Sequence, residues 1–161
     1  PLICSGRTDN HPGRQVISVS GDGGLAMLMG DLITTLQEKL PIKIVVLNNG
    51  SLNFVELEQK VDGLLNNYTD LVNPDFGAVA QALGMWGRSV RKADEVEAGV
   101  RELLAQPGPG LLSVHTSPFE LVMPPTVQAS QVVSTTLYAA KALISGRAED
   151  VEHLLVDNYV K

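Results

Sequence analysis

Only one cysteine, Cys4, occurs in the chain, so no internal disulfide can staple the fold, and a cytoplasmic setting is expected. No run of about 18 apolar residues is present, so no membrane-spanning helix is expected. The start lacks the basic segment and apolar stretch of a secretory signal. Basic residues are scarce as well: 12 Lys and Arg stand against 18 Asp and Glu, a net charge of −6. Nucleic acid needs a basic face, and that balance argues against it as a partner. There is no internal repeat and no low-complexity tract. What the chain does have is apolar mass, 44% of 161 residues, enough to bury the core of one α/β domain.

The most informative stretch is Gly21-Asp22-Gly23-Gly24 with what flanks it. Gln15–Ser20 is a β-branched run that stops at the glycines. Leu25, Leu28, Met29, Leu32, Ile33 and Leu36 then fall at the spacing of an amphipathic helix. Pro41 ends that helix, and Ile42-Lys43-Ile44-Val45-Val46-Leu47 reads as a fully buried strand. A strand–helix–strand unit of this size predicts a right-handed parallel crossover. Both loops, Gly21–Gly24 and Asn48–Ser51, then lie at the carboxyl edge of the sheet, where open α/β sheets bind ligands. Asp22 and Asn49 offer hard oxygen donors, which suit Mg²⁺ or Ca²⁺ and not zinc. Glycines and a helix start suit a phosphate. Alone, Gly-Asp-Gly reads as an ordinary turn and Asn-Asn-Gly-Ser as a strand exit; the combination carries the reading.

The remainder completes the sheet. Asn73-Pro74 reads as a helix N-cap and first turn, opening a helix through Phe76, Val79, Ala80 and Leu83 to Gly84. Trp86–Arg91 reads as a short strand and Lys92–Gln106 as a helix with Val96, Val100, Leu103 and Leu104 facing in. Leu111–His115 is a further strand. Strands alternating with helices predict an α/β fold: a doubly wound, mostly parallel sheet with helices on both faces. His115, His11 and His153 have no motif around them and are left outside the site. Val127–Ile144 and Asp150–Tyr159 read as helices. Glu149, Asp150, Glu152 and Asp157 deny the second a basic face, so packing on the domain or on a neighbouring subunit is favoured over a peripheral membrane contact.

Gly21-Asp22-Gly23 followed by Asn48-Asn49 resembles the fingerprint of thiamine diphosphate (TPP)-dependent enzymes. The wording Gly-Asp-Gly-Gly-Leu-Ala-Met-Leu-Met-Gly-Asp-Leu, then Leu-Pro-Ile-Lys-Ile-Val-Val-Leu-Asn-Asn-Gly-Ser-Leu, is similar to the pyruvate oxidase and quinone-dependent pyruvate dehydrogenase branch. Pro107-Gly108-Pro109, Met123-Pro124-Pro125 and Ile144-Ser145-Gly146-Arg147 extend it. The resemblance implies a carboxy-terminal, cofactor-binding domain. Asp22, Asn49 and the backbone carbonyl of Ser51 would hold Mg²⁺. Gly23 and Gly24 would present amides to the diphosphate, and Gly50, Ser51, Leu52, Asn53, Phe54 and Val55 would wrap the cofactor. The family usually carries glycine at the position of Asn53, a residue that tolerates positive φ.

Phe54 and Glu58 stand four apart in a segment, Phe54–Lys60, that can begin a helix, which puts both on one face. The resemblance gives the pair a catalytic place, the ring toward electron transfer to flavin and the acid near the reacting carbonyl. On pattern alone a core aromatic and a solvated glutamate remain equally open. Glu56 carries no family role and reads as surface. Three stretches follow: an irregular start over 1–13, the TPP/Mg²⁺-binding α/β domain over 14–126 and a helical tail over 127–161.

The implied enzyme takes a 2-oxo acid: pyruvate loses CO₂, and its electrons pass to FAD and on to quinone or oxygen. FAD belongs to a domain absent from this chain, as does the glutamate that activates the cofactor ring. The chain therefore reads as a fragment or as one subunit, with a homo-oligomer or a partner chain completing the TPP site. By itself it is expected not to turn over. Alternatives are an acetolactate synthase-like carboligase domain, or a non-catalytic oligomerisation module.

Overall fold

A computed structural model describes residues 14–118 and 129–152. The chain divides into two compact units. The first comprises the described residues up to Gly50 together with Val72–Thr116; the second comprises Ser51–Leu71 and the described residues from Ser117 onward.

Four strands form the first unit's sheet: β1 (Val16–Gly21), β2 (Ile42–Asn48), β3 (Trp86–Val90) and β4 (Gly110–His115). All pair in parallel, in the order β1-β2-β4-β3. Gly21 lies opposite Leu47 and Asn48 opposite His115, so the loops after β1, β2 and β4 open on one edge. The period of two along β2 sorts its side chains between the faces. Ile42, Ile44 and Val46 pack with Leu111 under Leu25, Leu32, Phe76 and Ala80. These four come from α1 (Asp22–Met27), α2 (Asp31–Gln37) and α4 (Phe76–Ala82). Val45, Leu112, Val114 and Val90 form the other face with Val96, Val100 and Leu103 of α5 (Ala93–Ala105). Helices thus cover both faces of a parallel sheet, the doubly wound α/β arrangement that strand–helix alternation predicts.

Lys43 is the unexpected member of that buried strand, 1% exposed. Its ammonium donates to the carbonyls of Gln106 (2.6 Å) and Gly108, capping the carboxy-terminal end of α5. Burial pushes its pKa below the ordinary lysine value. Helix α4 meets β3 at a glycine–glycine contact: a Cβ on Gly87 would stand 2.2 Å from the Gly77 carbonyl oxygen.

Two local expectations are corrected. The helix expected from Leu25 begins at Asp22 and splits into α1 and α2. Asp31, Leu32 and Ile33 donate to Leu28, Met29 and Gly30 in the tighter three-residue pattern, at Gly30, where propensity is weakest. Leu28 and Ile33 turn out to solvent there. The cap of α4 is Asp75, not Asn73: its carboxylate accepts the Ala78 N–H at 3.0 Å. An aspartate caps as well as an asparagine, which leaves Asn73 for another task.

The second unit holds α3 (Asn53–Val61), preceded in chain order by the Ser51–Leu52 loop, and α6 (Ala129–Ile144). Tyr138 and Ala142 of α6 are fully buried, with Leu65 and Val151 against them. Residues 51–71, which the sequence assigns to the α/β domain, thus share a unit with the tail. Helical structure resumes at residues 148–152. Cys4, His11, His153, Met123-Pro124-Pro125, Leu154 and Leu155 lie outside the described residues. Among the described residues no helix is long and apolar enough to cross a membrane.

Candidate cofactor and metal site

Asp22 is the residue around which the first unit's sheet edge is organised. It follows β1 directly, is 2% exposed, and pairs with no Lys, Arg or His among the described residues. A buried carboxylate costs several kcal/mol to desolvate, and N–H donors offset the cost at about 1.5–3 kcal/mol each. Three are supplied. The Gly23 amide donates to Oδ1 at 2.9 Å, while the Gly50 amide and the Asn73 carboxamide donate to Oδ2 at 2.7 and 2.6 Å. Gly50 reaches across with φ of 70°, a conformation that favours glycine. Asn73 also donates to Asn48 Oδ1 at 3.0 Å, and Asn48 is 5% exposed.

Gly24 lies where a Cβ would approach Ser20 Oγ at 3.1 Å. The Gly23 amide is already engaged by Asp22. Helix α1 is only six residues long, so its dipole adds little, and individual amides matter more than the helix as a whole.

In the second unit Ser51 is buried and forms an antiparallel bridge with Asp70, and the Leu52 amide donates to the Thr69 carbonyl at 2.8 Å. Asn53 is the first residue of α3 with an ordinary helical backbone, so the glycine-like φ expected there is not required. Its carboxamide donates to the Pro118 carbonyl. Phe54 is 71% exposed and Val55 and Glu58 are also exposed, so the Phe54–Glu58 pair shares the solvent side of α3.

Glu56, expected at the surface, is instead mostly covered. It accepts from Ser51 Oγ (3.0 Å) and pairs with Lys60 Nζ (2.6 Å). Lys60 Nζ in turn lies 5.6 Å from the centre of the fully buried Tyr138 ring. Burial pushes the Tyr138 hydroxyl up to about 12, with the Asp150 charge adding to the rise.

Three polar groups near the same sheet edge, Asn73, Asp75 and His115, have no site role in the sequence reading. Asn73 looks like a cap and signals nothing else. Asp75 also accepts from Ser89 Oγ at 2.5 Å, which, followed by the Ala78 amide, holds its carboxyl below the usual range. His115, opposite Asn48, has a buried Nε2 with no hydrogen-bond partner among the described residues. Desolvation first, then the Arg91 charge, lowers its pKa, against a smaller rise from Asp75.

The donor set of Asp22 and its neighbours is all hard oxygen. Among the described residues no group of three or more His, Cys, Asp or Glu could hold a metal. One carboxylate with amide and carbonyl oxygens fits Mg²⁺, which keeps part of its water shell and shares its ligands with phosphates.

Comparison with known proteins points the same way. The family described as thiamine pyrophosphate enzyme, C-terminal TPP binding domain, matches residues 4–114. YdaP of Bacillus subtilis (strain 168), named as thiamine pyrophosphate-containing, is 42% identical over 105 residues, 65% of this chain and 18% of that protein. The large subunit of acetolactate synthase isozyme 2 of Escherichia coli (strain K12) is 35% identical over 117 residues, 71% of this chain and 21% of its own. Among solved structures, the thiamine diphosphate-dependent 4-hydroxybenzoylformate decarboxylase of Rhodococcus jostii RHA1 matches with a TM-score of 0.65 at 29% identity, over 71% of this chain and 22% of that one. The chain thus spans about a fifth of the length of these relatives. With the parallel sheet and the glycine-flanked Asp22 in place, it belongs to the thiamine pyrophosphate enzymes, as their C-terminal TPP-binding domain.

Proposed function

We propose that this domain holds Mg²⁺ and the diphosphate of TPP for an enzyme that decarboxylates a 2-oxo acid. The observation that carries the reading is Asp22: a carboxylate 2% exposed, paired with no cationic side chain among the described residues, and oriented by three N–H donors. A divalent cation is the natural counter-charge for such a group. Asp22 and Asn49 would donate side-chain oxygens, and the carbonyl of Ser51 a third ligand, as the family resemblance implies. Gly24 would present its amide to the diphosphate, while Gly50 to Val55 would follow the rest of the cofactor.

TPP supplies a nucleophilic carbon and an electron sink for the carbon–carbon cleavage. This chain's part is to fix the diphosphate end, so that the reacting end is presented in one orientation. The substrate we favour is pyruvate, with electrons passing to FAD on a further domain and on to quinone or oxygen. Phe54 and Glu58 would serve that step, and their exposure is compatible with contact to a bound ligand or a partner chain. The acetolactate synthase relative supports a carboligase reading as strongly. A homo-oligomer or a partner chain would complete the site.

Titration of the purified chain with TPP, with and without Mg²⁺, beside Asp22→Ala, tests the binding reading. A Mg²⁺-dependent signal lost in the variant is expected. Equal signals from the two chains in the presence of an added amino-terminal half of a relative would sink it. Product analysis of the reconstituted pair given pyruvate separates acetate or acetyl phosphate from acetolactate.

A further inference from the structure

The Asn73 carboxamide has two N–H bonds, and both are spent on the sheet edge. One reaches Asp22 Oδ2 at 2.6 Å and the other Asn48 Oδ1 at 3.0 Å. Turning the amide over would set its oxygen against two acceptor oxygens, so its orientation is fixed by chemistry. Asp22 Oδ2 also accepts the Gly50 amide at 2.7 Å, which fills both of its lone-pair positions. Among the described residues Oδ1 takes only the amide of its own neighbour, Gly23, at 2.9 Å. The two oxygens are therefore unequal: one is saturated and the other retains acceptor capacity.

We propose that Asn73 is a positioning residue for the metal site: it clips Asp22 to Asn48 and leaves Asp22 Oδ1 as the oxygen turned to Mg²⁺. The inference rests on the metal reading above and adds a residue and an atom to it. Asn48 immediately precedes Asn49, so the same clip ties the strand end that carries the second ligand. Partners that orient a ligand change metal affinity about 10–100-fold when removed.

Mg²⁺ is titrated into the full chain at saturating TPP for wild type, Asp22→Ala, Asn73→Leu and Asn73→Ser. Leucine keeps the bulk and removes both donors; serine keeps one. The expected result is a folded Asn73→Leu chain whose Mg²⁺ affinity falls about 10–100-fold, with a smaller fall for serine. An Asn73→Leu affinity indistinguishable from wild type overturns the proposal. If the leucine chain does not fold, the serine chain carries the same comparison, a fall supporting and no change overturning.

A wild type that takes up no more Mg²⁺ than Asp22→Ala counts against the metal reading itself. Hydrogen exchange without metal then judges the clip. Protected Asn73 side-chain protons, with a Gly50 amide that exchanges faster in Asn73→Ser, support it. Unprotected side-chain protons, or an unchanged Gly50 amide, overturn it.

Discussion

The two units are held together by different forces. In the first, two apolar clusters fill the faces of a parallel sheet, and its buried charges, Asp22 and Lys43, are satisfied by backbone and carboxamide groups. In the second, Tyr138 and Ala142 are the buried apolar side chains among those whose burial is described. Charged groups there do much of the joining: Glu56–Lys60, Lys60 over Tyr138, Lys141 to the Gly63 carbonyl and Arg147 to the Asn66 carbonyl. Apolar burial is non-directional and tolerates adjustment, whereas a covered ion pair stabilises only while both partners stay in place. The first unit is thus a scaffold whose sheet edge holds Asp22 in one orientation. The second is an assembly whose stability hangs on a few pairs.

The largest effect should come from the first unit's core. Phe76→Ala removes a ring that is 1% exposed and should cost about 3–5 kcal/mol, read as a lowered urea midpoint. A cost under about 1 kcal/mol would mean that the core is looser than its burial indicates.

Next in size is the pair in the second unit. Glu56→Ala strands Lys60 in a covered position and should cost roughly 2–3 kcal/mol, while the double change Glu56→Leu with Lys60→Met should cost much less. Denaturation of single and double variants measures the difference. Equal losses would show that packing, and not charge, joins α3 to α6.

His115 gives a smaller, pH-dependent effect. Its folded-state pKa lies below the ordinary 6.5, so the unfolded chain binds the proton more readily. Stability from this group is complete above 6.5 and is lost as pH falls from there through the folded value. His115→Asn should flatten that part of the stability–pH curve, and an unchanged slope would assign it to other groups.

The smallest change expected is a gain. Lys39 holds φ of 53° just past α2, where the Leu40 amide returns to the Thr35 carbonyl. Gly63, Gly84 and Gly146 occupy the matching place after α3, α4 and α6. Lys39→Gly should stabilise by roughly 0.5 kcal/mol, because relief of left-handed strain exceeds the entropy that glycine adds to the unfolded chain. A fall in the urea midpoint would reverse that balance.

β2 and β4 were legible in the sequence because they bury most of their apolar side chains, whereas β1, whose Ile17 and Val19 are exposed, was legible only as a β-branched run. β2 and the inward facing of Val96, Val100 and Leu103 followed from pattern alone; Leu104, expected with them, joins neither apolar cluster, and the stretch read as a Gly21–Gly24 loop is the end of β1 and the first turn of α1. The break between α1 and α2 was harder, since Leu28 and Ile33 keep the helical spacing while facing solvent. Glu56 and Asn73 were misplaced for a related reason. A polar residue has no period to betray its partner, and its role is set by whichever group the fold brings within 3 Å.

By itself, then, the sequence determined the parallel α/β layering and the meeting of the Asp22 and Asn48–Asn49 loops at one sheet edge, because chain order and hydrophobic period constrain both. Only the tertiary structure decided which oxygen of Asp22 is saturated, that Asn73 and Gly50 saturate it, and that Glu56 is held by Lys60. Those are hydrogen bonds and ion pairs of short reach. Directional contacts between residues as far apart as 22 and 73 are created by folding and leave no periodic trace in the chain.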